Sequence, residues 1–312
     1  ELTPALSAQR LRLGFGLLRL ARGDTTPQRV ALSGLELFAQ IDQDGAFSLR
    51  GLDTSGMPSR ATQDWLRQLG RFQSVRLSDC ELQLDDARLR GPEPRFRLVD
   101  AELKFSDGRG KATAELALPP GMGSSVKFRA NIQGDLERPD TWNGRWKASV
   151  EQLRGLPWLD AQLAEGAAIG FSETELRVDG VLERGKVGAV DIQLEAAGLV
   201  GRNGADRTTL QDIDLAAHLV PQAEGWMLDI TQLRLSGAQG PWPETRARIQ
   251  LTRQAQGPPS LDLVAAHLRL ADLMPWLVLL PDRALVGSSE RLRGVSGEVR
   301  GLGLRWTPGD ET

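Results

Sequence analysis

Apolar and polar residues alternate along most of this chain. In VKFRANIQGDLE (126–137), Val126, Phe128, Ala130 and Ile132 fall on one face, and Lys127, Arg129, Asn131 and Gln133 on the other. Successive side chains of a strand point to opposite faces, so the spacing predicts a strand with one apolar side. VDIQLEA (190–196) repeats the pattern with Val190, Ile192, Leu194 and Ala196. IDLAAHL (213–219), WMLDI (226–230), ARIQL (247–251), CELQL (80–84), AELKF (101–105) and GLGLRW (301–306) read the same way. Turn signals separate the runs: SDGRG (106–110), PPGMGSS (119–125), VGRNGADR (200–207) and QAQGPPS (254–260). Strands at roughly ten-residue spacing, joined by Gly- and Asp-rich turns, predict an all-β, mainly antiparallel protein.

Helical spacing is rare. TQDWLRQLGRFQ (62–73) sets Trp65, Leu66, Leu69 and Phe72 on one side, which predicts a short helix with Thr62 as its cap. A leucine-flanked Pro-Trp phrase occurs twice, in RGLPWLDAQL (154–163) and ADLMPWLVLL (271–280), with Trp158 and Trp276 in matching places. Proline suits the first turn of a helix, so each phrase predicts a brief helical link, near 156–164 and 274–280. A strand precedes each copy, and a Gly-rich turn and another strand follow it. The phrase therefore marks a repeating module of several strands. The expected division is a first β-module over 1–150, with the helix at 62–73, and a second over 151–312, with both links.

An apolar strand face needs a cover: a second sheet, a layer of helices, or another molecule. Helices are too few here to supply it. A sandwich, a barrel or a groove holding an apolar ligand remain. Aromatic residues make up only 5% of the chain, and the inward positions are mostly Leu, Val, Ile and Ala. Such a lining suits acyl chains as well as it suits a plain core, and composition does not choose between them.

Charge narrows the partners. The 312 residues carry 38 Lys and Arg against 41 Asp and Glu, a net −3, with no basic stripe to collect phosphates, so no nucleic-acid partner is expected. One cysteine, Cys80, builds neither an internal disulfide nor a metal site; its parity with Leu82 and Leu84 predicts a buried, inert thiol. His218 and His267 are isolated and read as surface or bulge residues. The acids of DCELQLDD (79–86) lack calcium-loop spacing and read as a solvated strand edge. No G-x-S-x-G, H-E-x-x-H or phosphate-binding glycine loop is present. No catalytic residue, no metal and no cofactor are expected. The richest apolar stretch, LADLMPWLVLL, is broken by Asp272 and Pro275 and falls short of the roughly 18 apolar residues a membrane helix needs. No signal peptide is visible, and the first residue, Glu1, reads as the start of a piece of a longer polypeptide.

Several stretches together resemble the periplasmic repeat region of AsmA-like proteins of the YhdP type. RVALSGLELFAQIDQDGAFSLRGL (29–52) carries the family's turn and G-x-F-x-L-x-G-L strand at Gly45, Phe47, Leu49, Gly51 and Leu52. DWLRQLGRFQSVRLSDCELQLDDARL (64–89) is similar to its short helix and following strand pair. DTWNGRWKASVEQLRGLPWL (140–159) and LRLADLMPWL (268–277) resemble its strand followed by a Pro-Trp helix, and LRGVSGEVRGLGLRW (292–306) its closing strands. The resemblance implies an elongated, twisted sheet forming an open, taco-like hydrophobic groove. It also implies a protein tethered in the Gram-negative inner membrane and extending through the periplasm. Such a protein conducts phospholipid between inner and outer membranes and supports the outer-membrane barrier. This chain would be an internal segment that reaches both membranes only through terminal regions it lacks. Its ligand would be phospholipid acyl chains, lined by Val126, Phe128, Ile132, Ile192, Leu194, Ile213, Leu215, Leu228, Ile230, Ile249 and Leu251. The alternative is a closed β-sandwich scaffold in the envelope, with partners on its loops and strand edges.

Overall fold

The alternating runs form strands, and their tightest turns are those whose residues tolerate positive φ. Asp107 (φ 50°) and Gly108 (φ 71°) join two strands through a two-residue turn, as do Arg184 (φ 50°) and Gly185 (φ 74°). Two central residues with positive φ match the twist of the strands they connect. The computed structural model describes residues 7–16, 20–23, 25, 27–41, 47–49, 72–87, 94–135, 138–155, 157–161, 163–252, 260–279 and 296–306. The helix expected over 62–73 lies outside them except for Phe72 and Gln73.

The chain divides into two units, one of Glu1–Val150 with Val181–Lys186, the other of Glu151–Gly180 with Val187–Thr312. The first carries β1 (Ser7–Gly14), β2 (Arg29–Ile41), β3 (Phe47–Leu49), β4 (Ser74–Asp86), β5 (Arg95–Ser106), β6 (Arg109–Ala117), β7 (Ser125–Gln133) and β8 (Asn143–Glu151). Its strands hydrogen-bond in the order β1-β2-β4-β5-β6-β7-β8, with β3 beside β2. The second carries β9 (Ala167–Glu183) and β10 (Lys186–Asn203) apart from their shared end at Val181–Lys186, and β11 (Asp206–Gln222), β12 (Gly225–Gly237), β13 (Gly240–Pro241), β14 (Thr245–Thr252), β15 (Ser260–Arg269) and β16 (Glu298–Trp306). Their order is β9-β10-β11-β12-β14-β15-β16, with β13 beside β12. β2 and β4 run parallel. The neighbouring pairs β1–β2, β4–β5, β5–β6 and β6–β7, and those from β10 to β16, run antiparallel. In neither unit do the outermost strands pair among the described residues, so each sheet is open. The protein is all-β.

The parallel pair corrects one expectation. β4, with its acids at 79–86, is an interior strand between β2 and β5, and not a sheet edge. Its polar face is solvated all the same: Arg97 lies 2.7 Å from Asp79 and Arg95 3.6 Å from Glu81 across the ladder. Asp86 is buried. The strand that covers the flank of β4 is contributed by residues 29–41, too far back in the chain for local pattern to indicate.

Strict alternation is interrupted at a recurring place. Gly34, Asp79, Gln152, Glu173 and Asp212 all have φ between 45° and 66°. Each sits third in an apolar–polar–x–apolar or similar quartet: LSGL (32–35), LSDC (77–80), VEQL (150–153), FSET (171–174) and LQDI (210–213). A left-handed residue there shifts the phase by one, so that both ends of the quartet stay on the same face. Leu210 and Ile213 are accordingly both buried, as are Val150 and Leu153. On the parallel pair, Gly34 and Asp79 occupy matching positions between the register pairs Ser33↔Ser78 and Glu36↔Glu81. β11 slips against β12 between Gln211 and Asp214, across Asp212. Aspartate accepts this backbone better than most residues because its short side chain bonds locally.

The two Pro-Trp phrases form short helices, as the sequence predicts, and they meet each other. α1 spans Pro157–Asp160; α2 spans Leu270–Leu273 and continues as a 3-10 helix, Met274–Leu279, so the second link begins before its proline. Ala164 N donates to Leu279 O at 2.8 Å. Leu163, Ala167 and Leu279 share a buried cluster against which Trp276 packs. Gly201 makes room beneath: a Cβ there would lie 2.6 Å from Leu279 Cδ1 and 3.1 Å from Trp276 Cζ3. Asp160 ties α1 to the sheet by accepting from Ile169 N at 2.8 Å.

Asp212→Val is expected to destabilise the protein by about 1–2 kcal/mol, because a β-branched side chain resists positive φ, whereas Asp212→Gly leaves stability within about 1 kcal/mol; urea unfolding of both variants measures the contrast. Burial raises the Asp160 carboxyl above its ordinary range, and the bond from Ile169 N opposes this more weakly. The folded state therefore holds this proton to higher pH than the unfolded chain, so stability falls as pH rises through the window just above the ordinary carboxylate value. Asp160→Asn is expected to flatten that part of the stability–pH curve; an unchanged slope in parallel melts would assign the dependence elsewhere.

Candidate functional site

Cross-strand register assembles the apolar positions into continuous rows. In the first unit, Leu13–Val30–Val75–Leu103–Ala112–Ala130 runs through β1, β2, β4, β5, β6 and β7, one residue per strand. Leu11–Leu32–Leu77–Ala101–Ala114–Phe128 runs beside it, and Cys80–Leu98–Leu116–Val126 forms a third row. Directly opposite residues share a face, so each row is a band of contiguous hydrocarbon. Ile132 lies opposite Gly110, over which the Phe105 ring folds. Val126, Phe128 and Ile132 are thus neighbours on one apolar face. Lys127 and Arg129, one step out of phase, are exposed.

Most of these side chains are half-buried. Ala130 and Cys80 are buried, the thiol at 1% exposure, while Leu11 and Leu13 on the outer strand are 58% and 48% exposed. Trp146 on β8 stacks against Phe128, with ring centroids 6.3 Å apart. Its indole Nε1 is buried with no hydrogen-bond partner among the described residues, a polar donor stranded on an apolar surface.

The second unit repeats the arrangement. Val190–Leu219–Leu228–Ile249–Leu263–Leu304 crosses β10, β11, β12, β14, β15 and β16, and Ile192–Ala217–Ile230–Ala247–Ala265–Leu302 lies beside it. Leu194, Leu215 and Leu233 continue the face, and Leu251 joins from between Trp226 and Leu261. All eight groove positions expected on β10 to β14 therefore lie on one side of neighbouring strands. Ile213 differs from the other seven in being buried, in a cluster with Ala196, Leu210, Leu235 and Trp242. Leu273 and Trp276 of the second Pro-Trp link pack onto that cluster. At this end the apolar face is roofed by protein.

A buried carboxylate pins the roof. Asp272 Oδ1 accepts from Ala238 N at 2.9 Å, and Oδ2 accepts from Trp242 Nε1 at 2.8 Å. Arg269 Nη1 lies 3.6 Å from the same carboxylate and donates to Gly240 O at 3.0 Å. Gly237 is the residue that permits this approach, since any Cβ there would collide with the Asp272 carboxylate.

The histidines part company with expectation. His218 is on the polar face, as read, with Nδ1 2.7 Å from Asp191 Oδ1. His267 is instead 6% exposed, edge-on to Trp242 at 5.8 Å. Its backbone N donates to Thr245 Oγ1, and its Nε2 lies 3.3 Å from Glu298 Oε2. Contact with His267, and then with Arg269, holds the Glu298 carboxyl below the ordinary range. Trp242, 25 residues before His267, supplies the surface that buries it, which local alternation does not reveal. The Asp272 anchor was likewise legible only as an interruption in LADLMPWLVLL.

Removing the anchor and removing the stranded donor should differ sharply. Asp272→Ala leaves Trp242 Nε1 and Ala238 N without their acceptor and takes a carboxylate from beside Arg269, at an expected cost of about 2–4 kcal/mol. Trp146→Phe keeps the stack on Phe128 and loses a donor that had no partner, at an expected cost under about 1.5 kcal/mol. Denaturant unfolding followed by far-ultraviolet circular dichroism checks both; equal costs would refute the assigned roles.

Among the described residues no helix is long and apolar enough to cross a membrane. No curated protein and no solved structure matches the chain. A family model does: the one described as YhdP protein matches residues 1–309. Nearly every residue lies within that match, including all three apolar rows of the first unit and the two Pro-Trp links, and the chain belongs to the YhdP family.

Proposed function

We propose that this chain is a segment of a periplasmic, inner-membrane-tethered protein that shields phospholipid acyl chains against its apolar sheet faces and conducts them between inner and outer membranes. We read it as a non-enzymatic conduit. The observation that carries this is the set of unbroken cross-strand apolar rows that remain half-exposed instead of packing under a second layer of described residues. Membership in the YhdP family supports it, and so do the open sheets.

The energetics suit transport. An acyl chain in water costs about 0.8 kcal/mol per methylene, on the order of 10 kcal/mol for a membrane lipid chain, and an apolar trough offsets most of that. Contacts with Leu, Val, Ile and Ala are non-directional and nearly equal from one strand to the next, so the chain meets no deep well that would hold it in place. No residue need act as acid, base or nucleophile. Inner positions at Ala101, Ala112, Ala114 and Ala130 are small, which leaves depth between the larger side chains around them.

The roofed cluster around Ile213 favours a second reading, a scaffold whose apolar faces are sealed by protein. Two measurements separate them. A benzophenone amino acid at position 128 in the full-length protein in cells is expected to yield phospholipid adducts, and one at position 127 none; absence at both positions would transfer the assignment to the scaffold. Phe128→Asp is expected to abolish lipid adducts at neighbouring positions while costing less than about 2 kcal/mol of stability, because the carboxylate stays hydrated in an open trough. Under a sealed face the same change costs several kcal/mol and unfolds the unit.

A further inference from the structure

At one end of the first unit's strands lies an open cavity of about 1540 Å³. It gathers the start of β2 and β4, the β5–β6 turn, the end of β7 and the start of β8. Its lining comes from both sides of the sheet. Lys104, Lys111 and Asn131 stand in one cross-strand row on the polar face, while Phe105, Gly110 and Ile132 occupy the next positions on the apolar face. The cavity therefore straddles the rim where the apolar rows end.

Its charge is opposite in sign to that of the chain. Five cations line it, Arg29, Lys104, Arg109, Lys111 and Arg145, against three acids, Glu102, Asp107 and Glu183. Only Lys104 is paired, with Glu102 at 2.7 Å. Arg29, Arg109, Lys111 and Arg145 have no ion-pair partner among the described residues. Lys104 and Lys111 are moreover directly opposite in the ladder. Like charges in that position destabilise a sheet, and although Glu102 offsets the Lys104 charge, Lys111 has no such partner among the described residues. An anion placed between them would supply one. Gly144 brings β8 against β7 at Asn131, where any Cβ would strike the carbonyl, and so draws Arg145 towards the same end.

We infer that this rim cavity takes the anionic phosphodiester headgroup of a glycerophospholipid whose acyl chains lie along the apolar rows. The inference rests on the lipid-groove function proposed above and adds a headgroup preference to it. Unpaired guanidinium and ammonium groups form charge-assisted bonds with phosphate oxygens, and Arg does so in bidentate fashion. Phe105 and Ile132 then meet the first carbons of the chains. A zwitterionic headgroup carries its own cation into a basic cavity and is disfavoured.

The test uses the intact chain and two water-soluble lipids, dihexanoyl phosphatidylglycerol and dihexanoyl phosphatidylcholine, each titrated below its micelle concentration by calorimetry. The wild type is expected to bind the anionic lipid about tenfold more tightly, a preference that shrinks as salt rises. Arg109→Gln/Lys111→Gln/Arg145→Gln is expected to bind both lipids alike, at the affinity the wild type shows for the zwitterionic one. Phe128→Asp is expected to weaken both lipids while keeping their ratio. A triple variant that retains the anionic preference would overturn the headgroup site and leave the groove standing. Inorganic phosphate that displaces the anionic lipid as effectively as glycerophosphoglycerol does would make this a free-anion site and overturn the lipid source. Failure of the wild type to bind either lipid would overturn the groove itself.

Discussion

A strand with one apolar face must keep that face turned the same way along its whole length, and everything else in this protein depends on how that is done. Strands of 13 to 18 residues, such as β4, β10 and β11, are longer than the usual five or six. Twist accumulates along such lengths and carries a strictly alternating strand out of phase with its neighbours. The left-handed residues at Gly34, Asp79, Gln152, Glu173 and Asp212 answer this by letting an extra residue pass without moving the apolar set to the other side. The cost is a strained backbone at each site, reduced by glycine or aspartate at three of the five.

Because the phase is kept, register does the rest. One residue per strand lines up across six strands, and rows of hydrocarbon appear that no single strand contains. The same ladder places charge on the opposite face, where Arg76–Asp100 and Arg248–Asp229 stand 2.7 and 2.8 Å apart in solvent. Such exposed pairs add little stability, about 0–1 kcal/mol each, but they keep the outer face wet and the strands in register. At the cavity end of the first unit's strands the two faces come together, and there Arg29, Arg109, Lys111 and Arg145 have no ion-pair partner among the described residues. An amphiphile needs both surfaces at once, and the rim is where the sheet offers them.

The second unit adds a different element. Its Pro-Trp links carry apolar side chains onto the sheet end and lock there through a carboxylate that reads two N–H groups at once. The repeated phrase is a packing device: one copy donates a backbone bond to the other, and Trp276 serves both the link cluster and the sheet core. A buried Asp272 is tolerable because each of its oxygens has a donor and Arg269 lies beside it.

The sequence by itself determined the class of fold, the turns, the links and the members of each apolar face. These follow from covalent geometry over a few residues: alternate Cβ directions, the φ that Asp-Gly turns allow, the fit of proline to a helix start. Strict period two hides the phase slips at Gly34, Asp79, Gln152, Glu173 and Asp212, which the sequence reading did not identify. Only the tertiary structure decided which strands are neighbours, that β4 is interior, that Ile213 is buried while Phe128 is half-buried among the described residues, that His267 is buried, and that Arg109, Lys111 and Arg145 share one cavity. Each of those depends on residues tens of positions apart. Burial and unbalanced charge are properties of what surrounds a side chain, and local spacing carries no record of that.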